Sequence, residues 1–258
     1  MGDGPAGRLG GHTQTYVAEL HAHTVLSPCA EVEMLPPLIV QAALACGINL
    51  LAITDHNACA NVEAVQRAAA GTGLTVLPGL EAQTREEVHV LCLFDGLESA
   101  LVWEAEVRAA LPPMQNDAAH FGDQFVVDAA GDFVRRETQM LLTSADISLD
   151  DVCRRVEALG GLAIPAHVDR KAFGLISNLG LVPAGLPIAA LEVSRHLHPL
   201  DVPKQYPQLK GYPVLQGGDA HRLDEFLGAN VFLLEAPTTA EIRLALRGQS
   251  GRGLSYRV

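Results

Sequence analysis

Two pairs of metal-ligating residues lie near opposite ends of the sequence. His21 and His23 end an apolar run, and Asp219 and His221 follow two glycines. Because residues i and i+2 of a strand point to the same side, each pair directs two ligands at one point. A chain that repeats this arrangement is typical of a multinuclear metal enzyme.

Four further candidate ligands lie at or beside inferred strand ends, namely His56, Glu81, His89 and His167. Burying so many imidazoles and carboxylates without partners would be costly, so metal binding is the simpler explanation. Nitrogen and oxygen ligands without a thiolate cluster favour Zn²⁺, Mn²⁺ or Fe²⁺. Eight ligands exceed the needs of one ion, so we predict two or three divalent ions with Glu81 as a bridge. Such ions can activate a hydroxide for attack on phosphorus.

Short apolar runs alternate with helical patterns along the chain. The predicted strands cover 16–20, 49–54, 74–77, 88–94, 162–165, 188–193, 213–216 and 231–234. Helices are predicted over 36–46 and 61–70, from 148 to about 159 and from about 238 to 248. This alternation indicates parallel βα units. The candidate ligands follow many strands and no dinucleotide-binding glycine motif follows the first, which favours a barrel over an open sheet.

Residues 97–146 depart from this alternation. They contain a helical segment over 98–110 and a hairpin pattern with its turn at Gly131. We expect an inserted helix and hairpin that cover the site. Residues 1–15 are predicted to be a loose N-terminal segment, and residues 16–258 a single barrel domain.

Composition limits the partners and the compartment. The net charge of −12 disfavours stable binding to duplex nucleic acid or to an anionic membrane. The five cysteines form no C-x-x-C pair, which is typical of a reducing compartment. Apolar runs are far shorter than the roughly 18 residues of a membrane span. The first residues lack the apolar core of a signal peptide, so we expect a cytoplasmic protein.

Six motifs resemble those of the PHP (polymerase and histidinol phosphatase) family of metal-dependent phosphoesterases. They are Leu20-His21-Ala22-His23-Thr24, Ala52-Ile53-Thr54-Asp55-His56-Asn57, Pro78-Gly79-Leu80-Glu81, Glu87-Val88-His89-Val90, Pro165-Ala166-His167 and Gly218-Asp219-Ala220-His221. Their order and approximate spacing also match, over about residues 17–225. The resemblance implies an α/β fold, a distorted (β/α)₇ barrel with a trinuclear metal site on its C-terminal rim.

The resemblance also implies how the ligands are shared. The first metal would be held by His21, His23, Glu81 and Asp219. The second would be held by Glu81, His89 and His167, and the third would involve His56 and His221.

The first loop departs from the family pattern. Many relatives have Asp-Gly after the loop serine, whereas Pro28 follows Ser27 here. Because proline cannot ligate a metal, the third ion either binds weakly or recruits another donor. Cys29, Glu31 and Glu33 are the candidate replacements.

A phosphate substrate also needs cations from the protein. Arg170, Lys171 and Arg195 follow predicted strands and are our candidates for phosphate binding, with Arg195 also catalytic. Asp55 is predicted to be catalytic, either by orienting a ligand or by handling a proton. Glu19 is expected to orient an imidazole.

These features predict a phosphatase or phosphodiesterase. Its substrate would be a small phosphorylated metabolite, a nucleotide or a short oligonucleotide. The alternatives are an amidohydrolase or lactonase that acts on a carbonyl, and a non-catalytic metal-binding module. The orientation of the predicted rim cations distinguishes two of these functions. Cations that face the site favour phosphate chemistry, and cations that point away favour carbonyl chemistry. A homo-oligomer joined through the insertion is also open.

Overall fold

The computed structural model describes residues 12–257, so residues 1–11 of the predicted N-terminal segment lie outside it. The strands are β1 (Gln14–Glu19), β2 (Leu50–Ile53), β3 (Thr75–Gln83), β4 (His89–Leu93), β5 (Phe125–Val127), β6 (Phe133–Arg136), β7 (Leu162–Pro165), β8 (Leu191–Val193), β9 (Val214–Gln216), β10 (Asn230–Leu234) and β11 (Gly253–Tyr256). The helices are α1 (Pro36–Ala45), α2 (Val62–Ala69), α3 (Leu97–Ala110), α4 (Ala118–Phe121), α5 (Leu149–Ala158), α6 (Leu175–Leu179), α7 (Val202–Gln205) and α8 (Thr239–Leu246). None of the helices within these residues is long and apolar enough to cross a membrane.

Seven strands form one curled sheet in the order β11-β10-β1-β2-β3-β4-β7. The β1–β2 and β2–β3 pairs are parallel, whereas β4 runs antiparallel to both β3 and β7. Two separate pairs hold the other four strands: β8–β9 is parallel and β5–β6 is antiparallel. The sheet is a half-barrel, and the predicted distorted α/β barrel is confirmed.

Two sets of hydrogen bonds attach the β8–β9 pair to the sheet. On one side the amide of Ala189 donates to the carbonyl of Ala163 at 2.9 Å. On the other side the Asn230 side chain pairs with the backbone of Gln216, accepting from its N–H at 3.0 Å and donating to its carbonyl at 2.8 Å. One buried amide side chain therefore replaces the missing strand ladder at this edge.

The central strands β2, β3, β4 and β7 are buried on both faces, which explains their nearly continuous apolar sequences. On β2, Leu50 and Ala52 belong to one core cluster, whereas Leu51 and Ile53 belong to the other. Side chains alternate across a strand, so one cluster fills the inner face of the sheet and the other packs under the helices. The outer cluster is also where α1, α2, α3 and α5 place their apolar residues.

The structure differs from the sequence prediction at β3 and β4. The sequence predicts that the third strand ends before Pro78-Gly79, but β3 continues through both residues to Gln83. At Gly79 an added Cβ would lie 2.7 Å from the Cys92 carbonyl, so the close approach of β4 requires glycine there. Because β4 is antiparallel, its first residue, His89, lies at the same rim as the end of β3.

The segment predicted as an insertion has two parts. Helix α3 packs on the sheet through Trp103 and Val107, which belong to the outer core cluster. The β5–β6 hairpin follows, with Gly131 at its turn as predicted. The end of the segment reaches the rim, where Asn57 Nδ2 donates to the carbonyls of Leu141 and Thr143.

One buried carboxylate anchors this segment to α3. Arg108 and Arg135 both donate to Glu137 Oε2, at 2.9 and 3.1 Å. Burial would raise the pKa of Glu137, but hydrogen bonds from Arg108, from the Gln139 amide and from Arg135 lower it to about 2. A lowered folded-state pKa stabilises the protein above the unfolded value, and this contribution is lost as the pH falls from about 4.5 towards 2.

We expect Glu137→Gln to lower the free energy of unfolding by about 2 kcal/mol at pH 7, because the two arginines lose their shared anion. The variant should also lose part of the acid dependence between about pH 4.5 and 2. Urea unfolding measured across this range tests both effects. Glu63→Gln, which removes an exposed carboxylate 3.8 Å from Arg67, is the control and should change neither. An unchanged stability of Glu137→Gln would contradict the anchoring role.

Candidate metal centre

The side chains of all eight predicted ligands meet at one rim of the half-barrel. Glu81 lies at the centre of the group. Its Oε1 is 2.9 Å from His89 Nδ1 and 3.2 Å from His167 Nε2, and its Oε2 is 2.9 Å from His56 Nδ1. Seven of the eight residues are buried, and His221 is half-buried. The remaining contacts join His21, His23, Asp219 and His221 to the same group.

Hydrogen bonds behind the first histidine pair define its tautomers. Nδ1 of His21 lies 2.8 Å from Glu192 Oε1, and an ionised carboxylate can only accept. Nδ1 of His23 lies 2.9 Å from Ser27 Oγ, whose own hydrogen is donated to Asp55 at 2.7 Å. Both Nδ1 atoms therefore carry the hydrogen, and in the neutral rings both Nε2 atoms keep a lone pair.

These lone pairs point at one another and at carboxylate oxygens. The two Nε2 atoms of His21 and His23 are 3.1 Å apart, and they lie 3.1 and 3.2 Å from Asp219 Oδ1. His21 Nε2 is also 3.3 Å from Glu81 Oε1. Four acceptor atoms thus face one another, namely the two imidazole nitrogens and one oxygen each of Asp219 and Glu81. This arrangement is unfavourable unless positive charge lies among them. The donor set and its spacing fit a divalent metal ion.

Other ligand atoms lack hydrogen-bond partners. Among residues 12–257, the buried side-chain atoms without a hydrogen bond include His89 Nε2 and His167 Nδ1. Glu81 Oε2 also lacks one, because its 2.9 Å contact with His56 Nδ1 is not aligned as a hydrogen bond. Buried polar atoms are nearly always paired in folded proteins, so a group of unpaired ones calls for an explanation. Metal coordination would satisfy such atoms. Triplets of these residues whose ligand atoms lie within 4.8 Å of one another are His21–His23–Glu81, His56–Glu81–His89 and His23–His56–His221.

The electrostatics of the site favour positive charge near the carboxylates. Burial would raise the pKa of Glu81, but His89, His21 and His56 lower it well below its usual range. Burial would likewise raise the pKa of Asp219, which the histidine pair lowers well below its usual range. The carboxylates are therefore ionised, as metal ligands must be.

Backbone strain is concentrated at the same rim. His167 and Asp219 have φ angles of 30° and 47°, and nearby Asn57 and Phe173 have φ angles of 51° and 57°. Residues other than glycine rarely adopt this region, at a cost of about 1–3 kcal/mol each. Strain of this kind is typical of sites where side-chain placement is functional.

Two buried glutamates behind the site have roles that the sequence did not reveal. Glu192, which was not predicted, accepts from His21 Nδ1 and from the His167 amide. Glu19 was expected to orient an imidazole, but it accepts instead from the amides of Gly218 and Leu227. Its pKa is raised by burial to about 7. The only sequence signal for Glu192 is an acid within an otherwise apolar strand.

Gly217 and Gly218 make room for these two glutamates. A Cβ at Gly217 would collide with the Glu192 carboxylate, and one at Gly218 would lie 2.6 Å from Glu19 Oε2. The glycines that precede Asp219 are therefore needed for close packing rather than for chain reversal.

The structure places Asp55 behind the ligands. Its oxygens accept from the Thr24 amide and hydroxyl and from the Ser27 hydroxyl, each at 2.7 Å. Ser27 in turn supports His23. Of the two uses predicted for Asp55, this geometry fits the orientation of a ligand, because no oxygen faces the cleft.

The three predicted phosphate-binding cations occupy different environments. Arg170 lines the cleft, and its Nη1 donates to Asp219 Oδ2 at 2.5 Å. The guanidinium of Arg195 is engaged by the carbonyls of Gly218 and Glu225, so it braces the Asp219 loop. Lys171 is exposed, and within residues 12–257 no carboxylate pairs with it.

The three candidate replacement ligands in the first loop also lie in different environments. Glu31 is paired with Arg222 at 2.8 Å, and Glu33 is exposed. Cys29 faces the site, with Sγ 3.1 Å from His221 Nε2. Burial would raise the pKa of the Cys29 thiol, but His56 and His221 outweigh it and lower the pKa to about 6.

A cleft of about 320 Å³ opens over the cluster, a size suited to a small ligand. Arg170 and Cys29 lie in its wall, together with apolar Leu142 and Phe173. The Phe173 ring stacks on His89, with centroids 4.5 Å apart. The cleft therefore joins the ligand cluster, one cation and an apolar wall.

The comparisons with known proteins agree with this geometry. The PHP domain family model matches residues 19–99. The lesion-specific endonuclease PfuEndoQ from Pyrococcus furiosus matches with a TM-score of 0.72 and 18% identity, over 93% of this chain and 58% of its own. This chain thus spans less than two thirds of that structure. A comparison with curated protein sequences found no match.

Two other solved structures share the fold. A two-domain protein from Bacteroides vulgatus, containing a predicted PHP-like metal-dependent phosphoesterase, matches with a TM-score of 0.53 and 14% identity, over 95% of this chain and 66% of its own. An amidohydrolase from Chromobacterium violaceum matches with a TM-score of 0.55 and 21% identity, over 79% of this chain and 87% of its own. Residues 19–99 therefore carry the PHP domain signature, and the predicted resemblance to the PHP family is confirmed.

Proposed function

We propose that this protein is a metal-dependent phosphoesterase. The observation that carries the proposal is the buried cluster of eight imidazoles and carboxylates whose nitrogen and oxygen atoms converge at one rim, with separations of about 3 Å. Arg170 at the edge of the same cleft supplies the cation that a phosphate requires. The match of residues 19–99 to the PHP domain supports the same class of reaction.

The cluster would hold two or three divalent ions of zinc, manganese or iron, the metals that suit imidazole and carboxylate ligands. His21, His23 and Asp219 would hold one ion, and His89 and His167 a second. Glu81 would bridge these two ions, because it contacts both groups of histidines. When bound, such ions lower the pKa of water and neutralise charge that develops on phosphoryl oxygens.

The protein groups would act around the ions. Arg170 would bind a phosphoryl oxygen, since its guanidinium is half-buried in the cleft wall beside Asp219. Asp55 and Arg195 would be positioning residues: the first holds the loop that supports His23, and the second holds the backbone beside Asp219. Exposed Lys171 would contribute only a general positive field at the rim.

The substrate would be a phosphorylated metabolite, a nucleotide or a short oligonucleotide. The cleft volume suits a small ligand, and Leu142 and Phe173 give its wall an apolar part. One structural neighbour is an Endonuclease Q complex with a 27-mer duplex substrate that has an abasic lesion at the active site. A substrate panel should therefore include single-stranded and abasic duplex DNA, although the net charge of −12 favours smaller substrates.

Metal analysis and phosphate release on one sample test the proposal. Protein purified without chelator should contain about two or three transition-metal ions per chain and should release phosphate or cleave a phosphodiester in the substrate panel. Because His23 contributes to the densest part of the cluster, His23→Ala should lower both metal content and activity. His196→Ala removes an exposed histidine and should change neither. Wild-type protein that takes up no metal would refute the proposal.

Arg170 separates phosphate chemistry from the carbonyl alternative. If its guanidinium binds the phosphoryl group, Arg170→Gln should lower kcat/KM about 10–100-fold, the value of one charge-assisted hydrogen bond, with metal content unchanged. Lys171→Gln removes the neighbouring charge outside the cleft and should have little effect. Full metal content with carbonyl hydrolysis and no phosphoester cleavage would instead favour an amidohydrolase or lactonase.

A substitution at Glu192 tests whether the hydrogen bond behind His21 contributes to metal binding. Because it accepts from His21 Nδ1, Glu192→Gln should weaken metal affinity about 10–100-fold, as measured by competition with a chelating dye. Asp169→Asn is the matched control, since Asp169 is bonded to the Ser194 amide and hydroxyl rather than to a ligand. Equal affinities of the two variants would argue against this role.

A further inference from the structure

Cys29 directly follows Pro28, which stands where the family pattern of the first loop has an acid. Its Sγ lies 3.1 Å from His221 Nε2. Nδ1 of His221 lies 2.9 Å from the Asp219 carbonyl, which can only accept, so Nδ1 carries the hydrogen. In the neutral ring the lone pair of Nε2 therefore points towards sulfur.

The backbone holds these two groups together. The amide of Glu31 donates to the carbonyl of His221 at 2.9 Å, and the amide of Ala30 closes a turn onto Ser27 at 2.9 Å. The amide of His221 is itself bonded to Glu225 Oε2 at 2.8 Å. The short distance between Cys29 and His221 thus follows from a fixed loop rather than from the rotation of a free side chain.

Further nitrogen donors lie beside this pair. The ring of His221 stacks on that of His23, with centroids 4.0 Å apart, and lies 5.9 Å from that of His56. Ligand atoms of these three histidines lie within 4.8 Å of one another. Cys29 therefore adds a sulfur donor to an existing cluster of imidazoles.

The spacing is close to that of two ligands on one ion. Zinc–sulfur and zinc–nitrogen bonds of about 2.3 and 2.0 Å at a tetrahedral angle place sulfur and nitrogen about 3.5 Å apart. The 3.1 Å separation here needs only a small opening of the loop. The carboxylates of the loop are less suitable, because Glu31 is paired with Arg222 and Glu33 is exposed.

We propose that Cys29 is a thiolate ligand of an additional metal ion held together with His56 and His221. The thiolate would replace the acid that the family pattern has in this loop and that the segment Pro28-Cys29 does not supply. Three protein ligands would leave one tetrahedral position open towards the cleft, whose wall includes Cys29. This inference rests on the proposed metal centre and deepens it, because it gives one of the ions a sulfur ligand. A thiolate ligand favours zinc over manganese at that position.

Cobalt(II) loading tests the ligand directly. Metal-free protein is titrated with cobalt alone, the near-ultraviolet spectrum is searched for a thiolate-to-cobalt charge-transfer band, and bound cobalt is counted. Wild-type protein should show the band and bind one more ion than Cys29→Ser. Cys29→Asp should retain the additional ion but lose the band. Cys46→Ser, which alters a half-buried cysteine at the end of α1, should match the wild type.

The readouts separate this inference from the proposed function. Cobalt bound without a charge-transfer band, or Cys29→Ser with the same number of ions and the same affinity, would show that Cys29 is only a hydrogen-bond donor to His221. A band in a protein without phosphoesterase activity would support the ligand and refute the function. Thermal unfolding of Cys29→Ser in the absence of metal should match that of the wild type, and a large loss of stability would assign Cys29 a structural role instead.

Discussion

The burial of a highly polar cluster is the constraint on which the rest of this structure depends. Glu81 has no exposed surface, yet it lies within about 3 Å of three imidazoles and is ionised. A buried charge costs several kcal/mol unless it is fully compensated, and several cluster atoms have no partner within the described protein. Divalent ions are the compensation that fits the types and spacing of the donors.

Much of the surrounding structure keeps this cluster in place. Glu192 and Ser27 fix the hydrogens of the first two histidines on the side away from the cleft. Glu19 and Arg195 hold the backbone that carries Asp219, the former through amides and the latter through carbonyls. Ligands held in this way need little reorganisation to bind metal, which raises affinity and fixes geometry. The strained backbone at His167 and Asp219 is maintained by the same network.

The segment after α3 connects the metal centre to the cleft. Asn57 follows His56 in sequence and bonds the carbonyls of Leu141 and Thr143, so the segment is attached to a loop that carries a predicted ligand. Leu142 therefore reaches the cleft wall, to which it contributes an apolar side chain and Arg170 a charged one. The chain thus places an apolar surface and a cation over the same cluster of predicted ligands.

The sequence alone predicted the eight candidate ligands, and their side chains meet in the folded chain. Ligand residues at positions i and i+2 share one side of a strand, so strand geometry alone pairs them. Apolar runs that alternate with helical patterns predict a barrel even when the long-range pairing of strands is unknown. The distant pairs at His21 and Asp219 could be joined because strand ends share a rim. The sequence could not predict contacts between distant residues that no local pattern relates. The antiparallel direction of β4, the support of His21 by Glu192 across 171 residues, and the engagement of Arg195 by carbonyls all depend on tertiary packing. The choice among Cys29, Glu31 and Glu33 was likewise structural, because only the folded loop decides which side chain faces His221.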